Sequence, residues 1–276
     1  MSKLSLISSR NPLLLMGCGK MGGAMLKGWL KAGLSGSAVM IVDPFLKDTP
    51  EIKDVCFVES ISDLPAGLNP GFIVLAVKPQ MMDGAVEGLK SLDCQGTTFL
   101  SIAAGKTIGY FERHLGPDAA IIRAMPNTPA AIGRGISVAC PNRNVSAEQK
   151  AVCHDLLAAA GAVEWVSDED LIDAVTAVSG SGPAYVFNLV ETLAGAGEAI
   201  GLDADLAKKL AMHTICGAGA LLEQSDQDAT QLRINVTSPN GTTEAALNVL
   251  MGEDGLSKLM TKAVRAAHKR SKELAD

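Results

Sequence analysis

The chain has 276 residues, 47% of them hydrophobic and 20% charged, which suits one large globular domain or two smaller ones. A net charge of −6, only 4% aromatic residues and no basic stripe argue against a nucleic-acid partner. The longest uncharged stretch, 174–190, is broken by SGSGP, so no membrane partner is expected.

The N-terminus lacks an apolar segment long enough for a signal peptide. The first β-type run is Leu13–Met16, followed by GCGKMG at 17–22 and an amphipathic stretch, Met21–Lys31. A GxGxxG turn between strand and helix suits a dinucleotide. Gly17 makes the tight turn, Gly19 admits the pyrophosphate, and Gly22 lets helix and strand pack closely. Free amides and the positive end of the helix face the phosphates. Cys18, Lys20 and Met21 complete the turn.

The second run, Val39–Val42, ends at Asp43, near the distance expected for an acidic residue that binds the ribose hydroxyls. A carboxylate there favours NADH and repels the 2′-phosphate of NADPH, although Lys47 could offset the repulsion. Either NADH or NADPH therefore remains as cofactor. The third run, Phe72–Val77, enters Ala76-Val77-Lys78-Pro79, where Lys78 places a charge at the nicotinamide end of the crevice. After a helical stretch, Met82–Leu89, the run Thr98–Ile102 closes in small residues, Ile102, Ala103 and Ala104, which suit a flat ring.

Further β-type runs are Ala120–Met125 and Ile136–Cys140. Ser146 opens a helix with Gln149 placed for a capping box, and Gly161 is expected to end it. The alternation over 1–166 predicts an α/β fold, a Rossmann doubly wound parallel sheet. Over 167–276 the β-runs vanish. Helices are expected at 168–178, 184–200, 205–223, 243–251 and 256–274. The segment Tyr185–Ile200 is apolar nearly all round apart from Glu191 and Glu198, which predicts a subunit interface between helical halves.

The six cysteines form no CxxC pair and no histidine stands at ligand spacing from them, so no metal site is expected. Free thiols fit a reducing compartment, and a cytoplasmic location is expected. The four histidines and the basic face of the last helix carry no motif.

The chain resembles the pyrroline-5-carboxylate reductase family over nearly its whole length. The resemblance rests on GCGKMG, AVKP, SIAAG and Met125-Pro126-Asn127-Thr128-Pro129. In the second half it rests on Asp173-Ala174-Val175-Thr176, on SGSGPAY at 179–185 and on VTSPNGTT at 236–243. It implies a Rossmann domain joined to an all-α dimerisation domain. It implies reduction of 1-pyrroline-5-carboxylate to L-proline, and a homodimer that can assemble further, into a decamer. It also implies that substrate sits between the nicotinamide and the helical domain. Substrate-binding positions matching the family are Glu169, Thr242 and Thr243, with Ser238 nearby. Cofactor positions are 17–22, 76–79, 102–104 and Asn235. Two departures stand out. Residues 51–63 hold no Asn where the family often has one facing the cofactor, and Asn240 replaces the usual second glycine of the SPGGTT motif. Asn tolerates a left-handed backbone, so the turn is expected to survive.

The turn at 237–243 feeds a helix, and its amides can bind a carboxylate without Arg. Thr243 is the expected catalytic hydroxyl, hydrogen-bonded to the ring nitrogen, with positioning and electrostatics supplying most of the rate. Two rivals remain: a reductase of a different small imine or β-hydroxy acid, and a non-enzymatic nucleotide-binding redox sensor. The first commonly uses a lysine on the helix after SGSGP, where this chain has none before Lys208. The intact Thr242-Thr243 turn argues against the second.

Overall fold

The computed structural model describes residues 3–45 and 54–275. They divide into two compact units, Met1–Gly180 with His268–Asp276, and Ser181–Ala267.

The first unit is built on an eight-stranded sheet. In chain order its elements are β1 (Leu13–Met16), α1 (Lys20–Lys31), β2 (Val39–Val42), β3 (Cys56–Val58), β4 (Phe72–Leu75), α2 (Met82–Leu89), β5 (Thr98–Ser101), α3 (Ile108–Leu115), β6 (Ala120–Met125), β7 (Gly135–Pro141), α4 (Ala147–Ala158), β8 (Gly161–Trp165) and α5 (Leu171–Val175). The strand order is β3-β2-β1-β4-β5-β6-β7-β8. Neighbours run parallel except β6 and β7. The expected doubly wound α/β fold is what forms.

The central strands are short apolar runs because both faces are covered. In β1 the side chains alternate between two cores: Leu13 and Leu15 join Met25, Leu26, Trp29 and Leu156, while Leu14 and Met16 join Met82, Val86 and Phe111. Trp29 is fully buried and donates its indole N–H to the Leu156 carbonyl at 2.7 Å, so α1 and α4 are tied by a satisfied polar atom. The Ser146–Gln149 capping box forms in both directions, at 3.2 and 2.8 Å.

Several details depart from the sequence reading. Strands β3 and β8 were not anticipated; they lie at the two ends of the sheet and are partly exposed, β3 being only three residues long and β8 being interrupted by Glu164. Gly161 does not terminate α4, which ends earlier with Ala159 as its cap. Instead Gly161 opens β8 with φ +143°, and a Cβ there would collide with the Gly135 carbonyl. The expected helix over 168–178 is a five-residue α5 followed by a π-type turn at Thr176–Gly180. The compact units divide after Gly180, with Ile172 and Asp173 buried within the first unit.

The second unit contains α6 (Gly182–Ala199), α7 (Ala204–Gln224), α8 (Ala229–Asn235), α9 (Thr242–Leu250) and the start of α10 (Leu256–Leu274), whose last turns belong to the first unit. Helix α8 was missed; Asp228 caps it by accepting from Gln231 N–H at 2.8 Å. Among the described residues of this unit only small side chains, Ala194, Ala207 and Ala211, are buried, whereas Phe187 is 63% exposed. Val186, Leu189 and Leu193 are exposed on the same helix. An apolar face of this size marks an interaction surface. Among the described residues no helix is long and apolar enough to cross a membrane.

Candidate active site

Each unit presents a glycine-capped turn that opens a helix with no side-chain cap. In the first, the C-terminal ends of β2, β1, β4 and β5 stand side by side, which places Asp43, the 17–22 turn, residues 76–79 and residues 102–104 along one edge of the sheet. Ligands of open parallel sheets bind at that edge.

The glycines of the turn have distinct physical reasons. Gly17 has φ +90°, and a Cβ there would stand 2.9 Å from the Val77 nitrogen. A Cβ at Gly22 would collide with the Gly17 carbonyl, whereas one at Gly19 would meet nothing within 4 Å. Gly17 and Gly22 are thus required by packing, and Gly19 leaves the approach to the helix open. Gly19 is the N-cap of α1 and provides no side-chain cap, so the first amides of that helix face outward for a phosphate. Lys20 is exposed and Met21 half-buried at its first positions.

Two amides of the turn are already engaged, the first being Gly17 N–H, which donates to the Val42 carbonyl at 2.8 Å. Cys18 N–H donates to Asp43 Oδ2 at 2.7 Å, and Phe45 N–H to Asp43 Oδ1 at 2.9 Å. Asp43 is therefore locked at the mouth of the turn, with remaining lone pairs available to ribose hydroxyls. Burial, and then the charge of Asp43, hold the Cys18 thiol above its ordinary pKa, so it stays neutral beside the pyrophosphate path. A cleft of about 440 Å³ follows, lined by Val42, Pro44, Ile61, Val77 and Met81 among others. Its apolar walls suit a flat base, and Glu59 and Ser60 stand where the family's Asn was looked for. Lys47, invoked against Asp43, lies outside the described residues.

Ala76 N–H donates to the Met16 carbonyl at 2.8 Å, which welds the 76–79 segment to the glycine turn. Lys78 is exposed, with Pro79 fixing the chain direction after it. Ile102 and Ala103 are buried and Ala104 is exposed at the start of the next loop. These residues fit a dinucleotide laid along that edge of the sheet.

In the second unit, Asn235, Ser238, Thr242 and Thr243 gather around the turn between α8 and α9. Asn240 takes the left-handed conformation expected of it, φ +59°. Its N–H donates to Glu244 Oε2 at 2.8 Å, and Gly241 N–H donates to the Ser238 carbonyl at 3.0 Å. Gly241 is the N-cap of α9 and supplies no side-chain cap. Asn235 is held by side-chain amides, accepting from Gln231 and donating to Gln227, both at 2.8 Å.

Glu169 stands apart from both turns in its bonding. Its Oε1 accepts from Arg123 Nη1 and from Ile108 N–H, each at 2.8 Å. Arg123 was missed because it interrupts an otherwise apolar strand and was read with that strand. Asn127, within the MPNTP motif, has a structural task. It receives the Ile136 N–H at 2.9 Å and donates to Ser179 Oγ at 3.2 Å, tying the MPNTP and SGSGP motifs together. A lone Arg inside a buried apolar run was the available signal for Arg123.

Residues 169–274 match the family model described as pyrroline-5-carboxylate reductase dimerisation, and residues 13–105 the one described as NADP oxidoreductase coenzyme F420-dependent. The chain is 37% identical to the pyrroline-5-carboxylate reductase of Pseudomonas aeruginosa over 262 residues, 95% of this chain and 96% of that one. Among solved structures it is similar to a pyrroline-5-carboxylate reductase from Coxiella burnetii, with TM-score 0.89 and 35% identity over 97% and 99% of the two chains. It is also similar to the Plasmodium falciparum pyrroline carboxylate reductase with NADP bound, with TM-score 0.81 and 31% identity over 96% and 98%.

Proposed function

The chain belongs to the pyrroline-5-carboxylate reductase family, and on that premise we propose that it reduces 1-pyrroline-5-carboxylate to L-proline with NADH or NADPH, the last step of proline biosynthesis. The observation that carries this reading is similarity across 95% of the chain to a reductase of that name, with both anion-receiving turns intact.

When bound, the reduced nicotinamide supplies a hydride. The chain's own residues hold, orient and polarise. The open amides of α1 take the pyrophosphate, and Asp43 takes the ribose hydroxyls. Ala76, Val77, Pro79 and Ile102–Ala104 bed the nicotinamide end, with Lys78 as a nearby positive charge. The amides at the start of α9, with Ser238 and Thr242, take the substrate carboxylate, which explains how a chain of net charge −6 accepts an anion. The Thr243 hydroxyl bonds the ring nitrogen. The imine arrives protonated, the carbon gains the hydride, and the nitrogen keeps its proton as the secondary amine of proline. No strong general acid is needed, so preorganised donors carry the rate.

The protein acts as a homo-oligomer. The exposed apolar face of α6, led by Phe187, supports a dimer through the helical units. Assembly of dimers into a decamer and residence in the cytoplasm belong to the same proposal, the latter supported by free cysteines such as Cys56.

The test is dinucleotide oxidation by purified protein given pyrroline-5-carboxylate. Turnover with at least one of NADH and NADPH is expected; consumption of neither overturns the reading.

A further inference from the structure

A charge cluster, buried except for part of Glu169, lies beside the end of β5. Arg123, 3% exposed, donates from Nη1 to Glu169 Oε1 at 2.8 Å and faces Asp173 Oδ1 with Nη2 at 3.8 Å. The same Asp173 oxygen accepts from Ser271 Oγ at 2.7 Å, and Asp173 and Ser271 are each 7% exposed. A buried cation with its anions behaves as one unit, because removal of any member leaves the others uncompensated.

This unit has two ends. At one is Ser271, in the closing turns of α10. At the other, Glu169 Oε1 receives the N–H of Ile108, the first residue of α3. The segment Ile102–Thr107 runs from β5 to that anchored amide. The end of α10 also meets this segment directly. Gly105 has φ +77°, and a Cβ built on it would stand 2.6 Å from the Leu274 carbonyl oxygen. The loop is therefore touched by α10 at its middle and held through the relay at its far end.

We propose that the last turns of α10 are a strap that sets the position of the loop Ile102–Thr107, with Ser271, Asp173, Arg123 and Glu169 as positioning residues for hydride transfer. The inference rests on the functional reading above, which beds the nicotinamide on that loop. It gives Glu169 a task that needs no contact with substrate. The grip on pyrophosphate and ribose comes from α1 and β2, which supply none of the groups in the relay. Its loss therefore disturbs orientation of the nicotinamide far more than affinity for the dinucleotide.

The experiment compares the wild-type chain, Ser271→Ala, Ser271→Thr and a chain ending at Arg270. Steady-state rates with pyrroline-5-carboxylate are taken with dinucleotide carrying hydrogen or deuterium at the transferred position. Ser271→Ala and the shortened chain should lose about tenfold or more in kcat, within the range that misplaced reacting atoms cost. The KM for dinucleotide should change little, and the deuterium isotope effect should rise. Ser271→Thr, which keeps the hydroxyl, should restore both. If the shortened chain does not fold, Ser271→Ala decides. Wild-type kcat and isotope effect in Ser271→Ala overturn the strap, as does a loss confined to KM or to thermal stability. An inactive wild-type chain would instead strike the functional reading.

Discussion

The carboxylate of Asp43 accepts the backbone N–H of Cys18 at 2.7 Å across 25 residues of sequence. One end of β2 is thereby fastened to the glycine turn, and a negative charge is fixed beside it. A mobile side chain could swing away from a 2′-phosphate; this one is held by a second amide, that of Phe45, as well. With its ribose at Asp43, NADPH should be disfavoured by that fixation. Asp43→Ser should raise the ratio of kcat/KM for NADPH over NADH by about tenfold or more, equivalent to ~1.4 kcal/mol of transition-state binding. Side-by-side initial rates with the two dinucleotides check it. An unchanged ratio removes Asp43 from the specificity account.

Gly17 faces two penalties on gaining a side chain: a left-handed φ of +90° and a Cβ 2.9 Å from the Val77 nitrogen. The backbone term alone costs about 1–2 kcal/mol. Gly17→Ala should lower the melting temperature and weaken dinucleotide binding together, because relief of the contact must push the turn and Val77 apart. Gly19→Ala meets no such contact. It should leave stability nearly unchanged beyond the modest preference of an N-cap for glycine over alanine, while weakening dinucleotide binding through lost backbone approach. Thermal unfolding and binding titrations on both variants separate the two roles.

The thiol of Cys18 is held above its ordinary pKa by burial and by Asp43, with Lys27 opposing. Since the thiolate is the reactive form, a raised pKa means less of it at any pH below the shifted value. Cys18 should therefore alkylate more slowly than the exposed Cys56 at neutral pH, and its rate should climb later as pH rises. Peptide mass spectrometry after timed iodoacetamide treatment reads both rates. Faster reaction at Cys18 would contradict the environment described.

Thr243 stands in the first turn of α9, after a glycine N-cap that offers no side-chain oxygen of its own. Thr243→Ala should cost about 10²-fold in kcat/KM, the usual loss for one preorganised donor. Thr243→Ser, which keeps the hydroxyl, should recover most of it. If alanine retains wild-type kinetics, the hydroxyl has no part in the reaction.

The glycine turn and the central strands were legible because each rests on a local rule. Leu13–Met16 is apolar throughout since both its faces are covered, and Gly17 and Gly22 occupy positions where a Cβ collides. The left-handed backbone of Asn240 was legible for the same reason. What escaped depends on partners distant in sequence. Glu169 reads alone as a ligand. Its bond to Arg123, 46 residues away, appears once β6 is placed next to the segment before α5. The link from Asp173 to Ser271 spans 98 residues and leaves no periodic trace. Strands β3 and β8 escaped because they are short or interrupted by a charge and lie partly exposed at the sheet's ends.

The account depends most on where a carboxylated five-membered ring is gripped, and a crystal structure with L-proline and oxidised dinucleotide addresses that directly. It should place the proline carboxylate on the amides opening α9 and the ring nitrogen within hydrogen-bonding reach of the Thr243 hydroxyl. Proline bound elsewhere, with those amides facing water and the nicotinamide remote from the ring, would contradict it.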